Sequence, residues 1–104
     1  MNTNFIRKFN AVSSSGGYLE IKNLNSSYAR GFVLYVGKNT RGLVAYHIET
    51  DGTSTGSGVI AGVTGSSGIT LSSPTGYLRI VNNTSTTFTG LIIAVTGSIN
   101  VGVY

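Results

Sequence analysis

The apolar residues of this chain recur in short runs, and the runs are separated by Gly, Ser, Thr and Asn. Tyr18–Asn23 alternates, with Leu19 and Ile21 on one side and Tyr18, Glu20 and Lys22 on the other. That is the period of a half-buried strand. Tyr77–Asn82 repeats the alternation, with Leu78 and Ile80 inward. Phe32–Val36 and Leu91–Val95 are apolar throughout, which predicts strands that meet something on both faces. Further strands are expected at Phe5–Val12, Leu43–Glu49, Val59–Val63, Gly68–Leu71 and Ile99–Val103, where β-branched and aromatic residues gather. Ser13–Gly17 reads as a flexible linker and Thr53–Gly58 as a mobile loop. Asp51-Gly52 reads as a hairpin turn, because both residues tolerate positive φ. Gly65–Gly68 and Ser72–Gly76 read as turns, and the latter holds the lone proline, Pro74. No window keeps a helical period.

Two of these segments are versions of one another. Residues 17–36 read GYLEIKNLNSSYARGFVLYV, and residues 76–95 read GYLRIVNNTSTTFTGLIIAV. The offset is 59 positions, and eight of the twenty pairs are identical, Gly31/Gly90 among them. The shared Tyr-Leu-x-Ile-x-Asn is too specific to follow from Gly and Ser abundance. Each copy has the form strand, polar bend, glycine, apolar strand. Eight or nine short antiparallel strands imply an all-β fold: one domain over residues 1–104, an antiparallel β-sandwich, jelly-roll-like, with two similar halves. An immunoglobulin-like sandwich is the other candidate, without the Cys-Trp-Cys core. Were Val33 and Tyr35, or Ile92 and Ala94, to point outward, they would leave an exposed apolar strip that meets a partner. The plainer reading covers that strip with loops.

Charge changes this picture modestly. Charged residues are only 10% of the 104 positions, against a usual ~25%. The excess of cations is one-sided. Residues 1–41 hold Arg7, Lys8, Lys22, Arg30, Lys38 and Arg41 against Glu20, whereas residues 42–104 hold Arg79 against Glu49 and Asp51. A basic N-terminal half suits an acidic partner surface. Nucleic acid is not the expected partner, for want of a dense Lys/Arg patch or an aromatic RNA-binding motif. No apolar run approaches the ~20 residues of a membrane span, and MNTNFIRKFNAV has no apolar core of a signal peptide. The chain has no cysteine, so no disulfide or Cys-type zinc site is expected.

Candidate chemistry is sparse. His47, Glu49 and Asp51 could gather near one hairpin as metal ligands, but the simpler account is the polar face of a strand entering a turn. No serine sits in a nucleophile elbow and no phosphate-cradling glycine motif occurs. No catalytic, cofactor or metal residues are assigned, and an enzyme is not expected. Six tyrosines are more informative. Tyr18 and Tyr77 occupy matching places in the two halves and are expected outward, where they could stack on sugar rings or anchor a subunit contact.

With its short Gly/Ser/Thr/Asn-rich strands, lack of cysteine and GYLRIVNNTSTTFTGLIIAVTG run, the chain resembles small all-β virion structural proteins of tailed bacteriophages. These are the capsid-decoration, head-fibre or tail-tip type. The resemblance implies a non-enzymatic assembly protein of the virus particle, a capsid-decoration (auxiliary capsid) protein above all. It also implies localisation in the virion. The implied partners are the major capsid protein or neighbouring subunits, with a homo-oligomer expected. It transfers no site residues. From the residues themselves, Arg7, Lys8, Arg30 and Arg41 are the candidate charged contacts, with Tyr18 and Tyr77 as anchors. The alternative is a carbohydrate-binding or adhesin-type module.

Overall fold

A computed structural model describes residues 5–24, 26–38, 40–49, 68–72 and 77–104, together with the backbone of 54–59. Among the described residues nine strands form: β1 (Phe5–Val12), β2 (Gly17–Asn23), β3 (Tyr28–Gly37), β4 (Arg41–Glu49), β5 (Ser54–Val59), β6 (Ile69–Ser72), β7 (Tyr77–Asn82), β8 (Phe88–Thr96) and β9 (Ile99–Val103). The expected all-β antiparallel sandwich is what they build, with no helix among the described residues. One sheet has five strands in the order β1-β8-β3-β4-β5, and the other has four in the order β6-β7-β2-β9. β3–β4–β5 and β6–β7 pair as sequence neighbours. β1–β8, β3–β8 and β2–β7 are long-range pairings that close the fold.

Pairing explains the repeat. β2 pairs β7, and β3 pairs β8, so equivalent strands of the two halves lie side by side and antiparallel. In the first pair Glu20 faces Arg79, its own equivalent at an offset of 59. In the second, Val33 faces Ile92, again its own equivalent. A pseudo-twofold axis therefore passes through both sheets at those two pairs. The two shared asparagines do the same work in each half. Asn23 donates to the carbonyls of Ser26 and Ile48, both at 3.0 Å. Asn82 donates to those of Val12 at 3.1 Å and Thr86 at 3.0 Å. Each side chain thus ties the end of a four-stranded-sheet strand to its own bend and to a strand of the other sheet.

The inner faces supply the core. Leu19, Ile21, Leu78 and Ile80 pack from one sheet against Phe9, Val33, Tyr35, Val44, Ile48, Phe88 and Ile92 from the other. Each such side chain contributes roughly 1.5–3 kcal/mol on burial. Phe88 sits centrally, edge-on to Phe9 at 6.2 Å and tilted against Tyr35 at 5.3 Å.

Two expectations change. Ser13–Gly17 is not a flexible linker but a pinned turn. Ser15 and Gly16 adopt φ of 59° and 114°, and their N–H groups donate to Thr84 and Asn82 carbonyls at 3.1 and 2.7 Å. Thr53–Gly58 is not a loop over its described part: Ser54–Val59 pairs with β4 from Ser54↔Ile48 to Val59↔Leu43. An available edge that satisfies the backbone outweighs weak intrinsic strand preference. Of the expected strand Val59–Val63, Val59 ends β5 and residues 60–63 lie outside the described residues, as do the Asp51-Gly52 turn and most of the turns expected at Gly65–Gly68 and Ser72–Gly76.

Tyr46 carries a cost. It is buried opposite Gly31, and its hydroxyl finds no hydrogen-bond partner among the described residues. Burial also pushes its phenol up to about 12 and raises that of Tyr35. Tyr46→Phe is expected to raise stability at neutral pH by about 1 kcal/mol, because it deletes an unpaired buried polar group. That corresponds to a Tm gain of roughly 4–8 °C in a chain of this size. A phenol that stays protonated longer in the folded state stabilises the fold below pH ~10, and that contribution drains away as pH rises towards ~12. The wild type should therefore lose about 2–3 kcal/mol across that window from Tyr46, and Tyr46→Phe should lose distinctly less. Urea unfolding at pH 7, 10 and 12 checks both. A less stable Tyr46→Phe with an unchanged alkaline profile would contradict them.

Candidate functional site

The outward positions of the five-stranded sheet form a grid, because antiparallel partners share a face. One row runs Ile6, Ile93, Phe32, Ala45 across β1, β8, β3 and β4. The next runs Lys8, Leu91, Leu34, Leu43, and the third Thr89, Val36, Arg41. Val95 is added by a bulge where the register shifts between Arg30 and Gly31. Ile6 is 70% exposed, Val95 49%, Val36 43%, Phe32 39% and Leu34 37%. Strands ~4.8 Å apart and like-facing residues ~6.8 Å apart along them make this on the order of 400 Å² of apolar surface in projection. That is the size at which a patch on a soluble protein is commonly functional.

So an exposed apolar strip exists, but on the opposite parity from the one anticipated. Val33, Tyr35, Ile92 and Ala94 are all buried, and their neighbours Phe32, Leu34, Leu91 and Ile93 face out. The described loops do not cover that strip.

Three of the anticipated contact residues, Lys8, Arg30 and Arg41, lie on this face. Lys8 lies within its second row and Arg41 closes its third. Arg7 does not join them: it pairs with the inward Ile92 and projects from the β1 edge on the other side, its guanidinium 4.7 Å above the Phe5 ring. Arg30 stands at the polar end of the face, 4.3 Å from the Tyr28 ring, and its Nε donates to His47 Nδ1 at 2.8 Å. His47 stacks on Tyr28 at 5.9 Å and its Nε2 lies 3.5 Å from Glu49. The third member of the suggested metal trio, Asp51, lies outside the described residues. Among the described residues no three metal-ligating side chains gather.

Tyr18 and Tyr77 are elsewhere, on the outer face of the four-stranded sheet. The axis pair is the centre of that face. Glu20 points outward yet is only 7% exposed, because its neighbours close over it. Arg79 Nε donates to its carboxylate at 3.0 Å, and Lys22 Nζ stands 3.9 Å away. The Arg79 guanidinium lies 4.5 Å from the Tyr18 ring and 4.7 Å from the Tyr77 ring, and it donates to the Tyr77 hydroxyl at 3.0 Å. The hydrogen bond to Glu20 holds the guanidinium protonated even more firmly than usual. Tyr104 extends the β9 pairing, exchanging backbone hydrogen bonds with Tyr18 at 2.9 and 3.0 Å.

Of these, Glu20, Arg79 and Tyr104 were not anticipated. For the first two a signal existed: opposite charges at equivalent outward positions of the repeat. The structure thus divides the anticipated residues between two opposite faces, apart from Arg7 at the β1 edge. No family model, curated protein or solved structure matches the chain, so its function is argued from these two faces.

Proposed function

We propose that this chain is a structural assembly protein of a virus particle, a capsid-decoration protein above all, that docks through the outer face of its five-stranded sheet. The observation that carries the reading is the apolar grid around Phe32, Leu34, Leu91 and Ile93, bordered by Lys8, Arg30 and Arg41. Apolar burial would supply the affinity and the cations would orient the approach. A second copy placed face to face would set these cations against like charges, with Glu49 the only acid the described part of the face offers. The face therefore fits a different protein, one with an apolar centre and acidic surround, such as a neighbouring capsid subunit. Copies of the chain would then be arrayed by the symmetry of the lattice they sit on.

Mass spectrometry of purified particles from cultures producing the chain is the direct test. A fixed ratio to the major capsid protein is expected, and absence from particles overturns the reading. The surface is tested by adding back variants to particles stripped of the chain. Phe32→Lys with Leu34→Lys should abolish co-sedimentation, as should Lys8→Glu with Arg41→Glu. All four positions are exposed, so the melting temperature should stay within a few degrees of wild type. Undiminished occupancy by both variants would place the docking surface elsewhere.

A further inference from the structure

The opposite face has a different chemistry. Across β9, β2 and β7 its rows read Tyr104, Tyr18, Val81; then Gly102, Glu20, Arg79; then Asn100, Lys22, Tyr77. Gly102 leaves a hollow in the middle of β9, and Tyr104 folds into it. A Cβ built on Gly102 would fall 2.6–2.8 Å from Oη, Cε2 and Cζ of that ring. One side of the Tyr104 ring therefore rests on the strand, and the residue remains 60% exposed. Tyr18 stands beside it at 5.3 Å with an interplanar angle of 31°.

We propose that this face is a glycan-binding site in which a pyranose ring packs on the open side of Tyr104. The C–H face of a pyranose is flat and apolar and suits an aromatic ring. Its hydroxyls need donors and acceptors around that ring. Here they are Asn100 and Lys22, both exposed, and the hydroxyl of Tyr18. The Glu20–Arg79–Tyr77 network fixes the floor beneath them before any ligand arrives, which lowers the entropy lost on binding.

A protein partner is the less fitting occupant. The rings of Tyr18 and Tyr77 are already taken by Arg79, and Lys22 stands 5.1 Å from the Tyr77 ring centre. Apart from Tyr104, the large exposed apolar side chains of the described residues do not lie in these rows. The site is independent of the docking reading, because the two sheets present their outer faces on opposite sides of the sandwich.

The test is a screen of immobilised glycans, followed by amide NMR titration of the intact chain with the best saccharide and with chitotriose, cellotetraose and sialyllactose. Expected shifts cluster at residues 18–22, 77–81 and 100–104. Tyr104→Ala should weaken binding at least about tenfold, whereas Tyr104→Phe should stay within about threefold, since the ring carries the contact. Leu34→Lys, on the docking face, should bind sugar like wild type even where it fails to join particles. The proposal is overturned if no saccharide perturbs these residues, if Tyr104→Ala binds undiminished, or if the face is covered by a protein in the assembled particle.

Discussion

Gly90→Ala and Gly31→Ala are each expected to cost about 3–5 kcal/mol, much of the ~5–15 kcal/mol a domain of this size possesses. The two glycines are equivalent in the repeat, and each lies where β3 and β8 meet. A Cβ on Gly90 would run into the carbonyl oxygen of Leu34, with the Leu34 carbonyl carbon at 2.8 Å and the Tyr35 Cα at 3.0 Å. A Cβ on Gly31 would run into the carbonyl oxygen of Ile93. Leu34 and Ile93 are themselves equivalent, so one collision occurs twice, related by the pseudo-twofold axis. At Gly31 the Tyr46 ring is a second obstacle, with its Oη at 2.5 Å and Cζ at 2.7 Å, but at both sites a backbone carbonyl stands in the way and no rotamer change can clear it. The strands must part, which breaks ladder hydrogen bonds and opens the packing around Tyr35 and Phe88. A fall in Tm of roughly 12 °C or more, or failure to fold, is expected for either variant. Phe32→Ala and Leu34→Ala are the controls, since these side chains face outward from the same strand and should cost less than about 1 kcal/mol. If the glycine variants melt with the controls, the close approach of β3 and β8 is not as described.

Those glycines also mark what the amino-acid pattern could and could not convey. Tyr18–Asn23 and Tyr77–Asn82 carry their Leu and Ile on one parity, with Glu20, Lys22 or Arg79 on the other, so their inner and outer faces were legible, and with them the outward placement of Tyr18 and Tyr77. Phe32–Val36 and Leu91–Val95 are apolar on both parities, and hydropathy alone cannot choose between Val33/Tyr35 and Phe32/Leu34. Pairing decides it. Gly31 and Gly90 share the inner face, Gly90 opposite Tyr35 and Gly31 opposite Tyr46, and the buried aromatics pack there. The outer set is left exposed as a consequence. β5 was invisible for the opposite reason: STGSGV has almost no apolar content and is a strand because β4 offers an edge. The repeat announced two similar halves but not that they lie antiparallel with Glu20 beside Arg79. That depends on register, which an offset in sequence does not contain. Tyr104 became part of a site only through Gly102, whose hollow exists once β9 is paired.

Asn82→Asp should be as damaging as the glycine substitutions, although it exchanges one atom for another of similar size. Asn82 is fully buried, and its amide is used on both sides. The nitrogen donates to the Val12 and Thr86 carbonyls, and the oxygen accepts from the Thr84 N–H at 3.0 Å and the Thr84 hydroxyl at 2.6 Å. A carboxylate keeps the acceptor but turns the donor into an anion facing two carbonyl oxygens. It must then be buried unpaired or take up a proton, and either costs roughly 3–5 kcal/mol at neutral pH. Such a carboxyl would hold its proton above the ordinary ~3.9, so the loss should fade as pH falls and the protonated form restores one donor. N82D should therefore approach wild-type stability near pH 3–4 and fall behind as pH rises. N82A should lose about 2–3 kcal/mol with no such pH dependence, from the stranded Val12 and Thr86 carbonyls. N23D should be milder, about 1–2 kcal/mol, because Asn23 is only half-buried and water can take up part of the loss. Unfolding curves of the three variants from pH 3 to pH 8 decide the matter. A pH-independent N82D, or an N23D equal to it, would mean that the corner between the sheets is not held by the buried amide of Asn82.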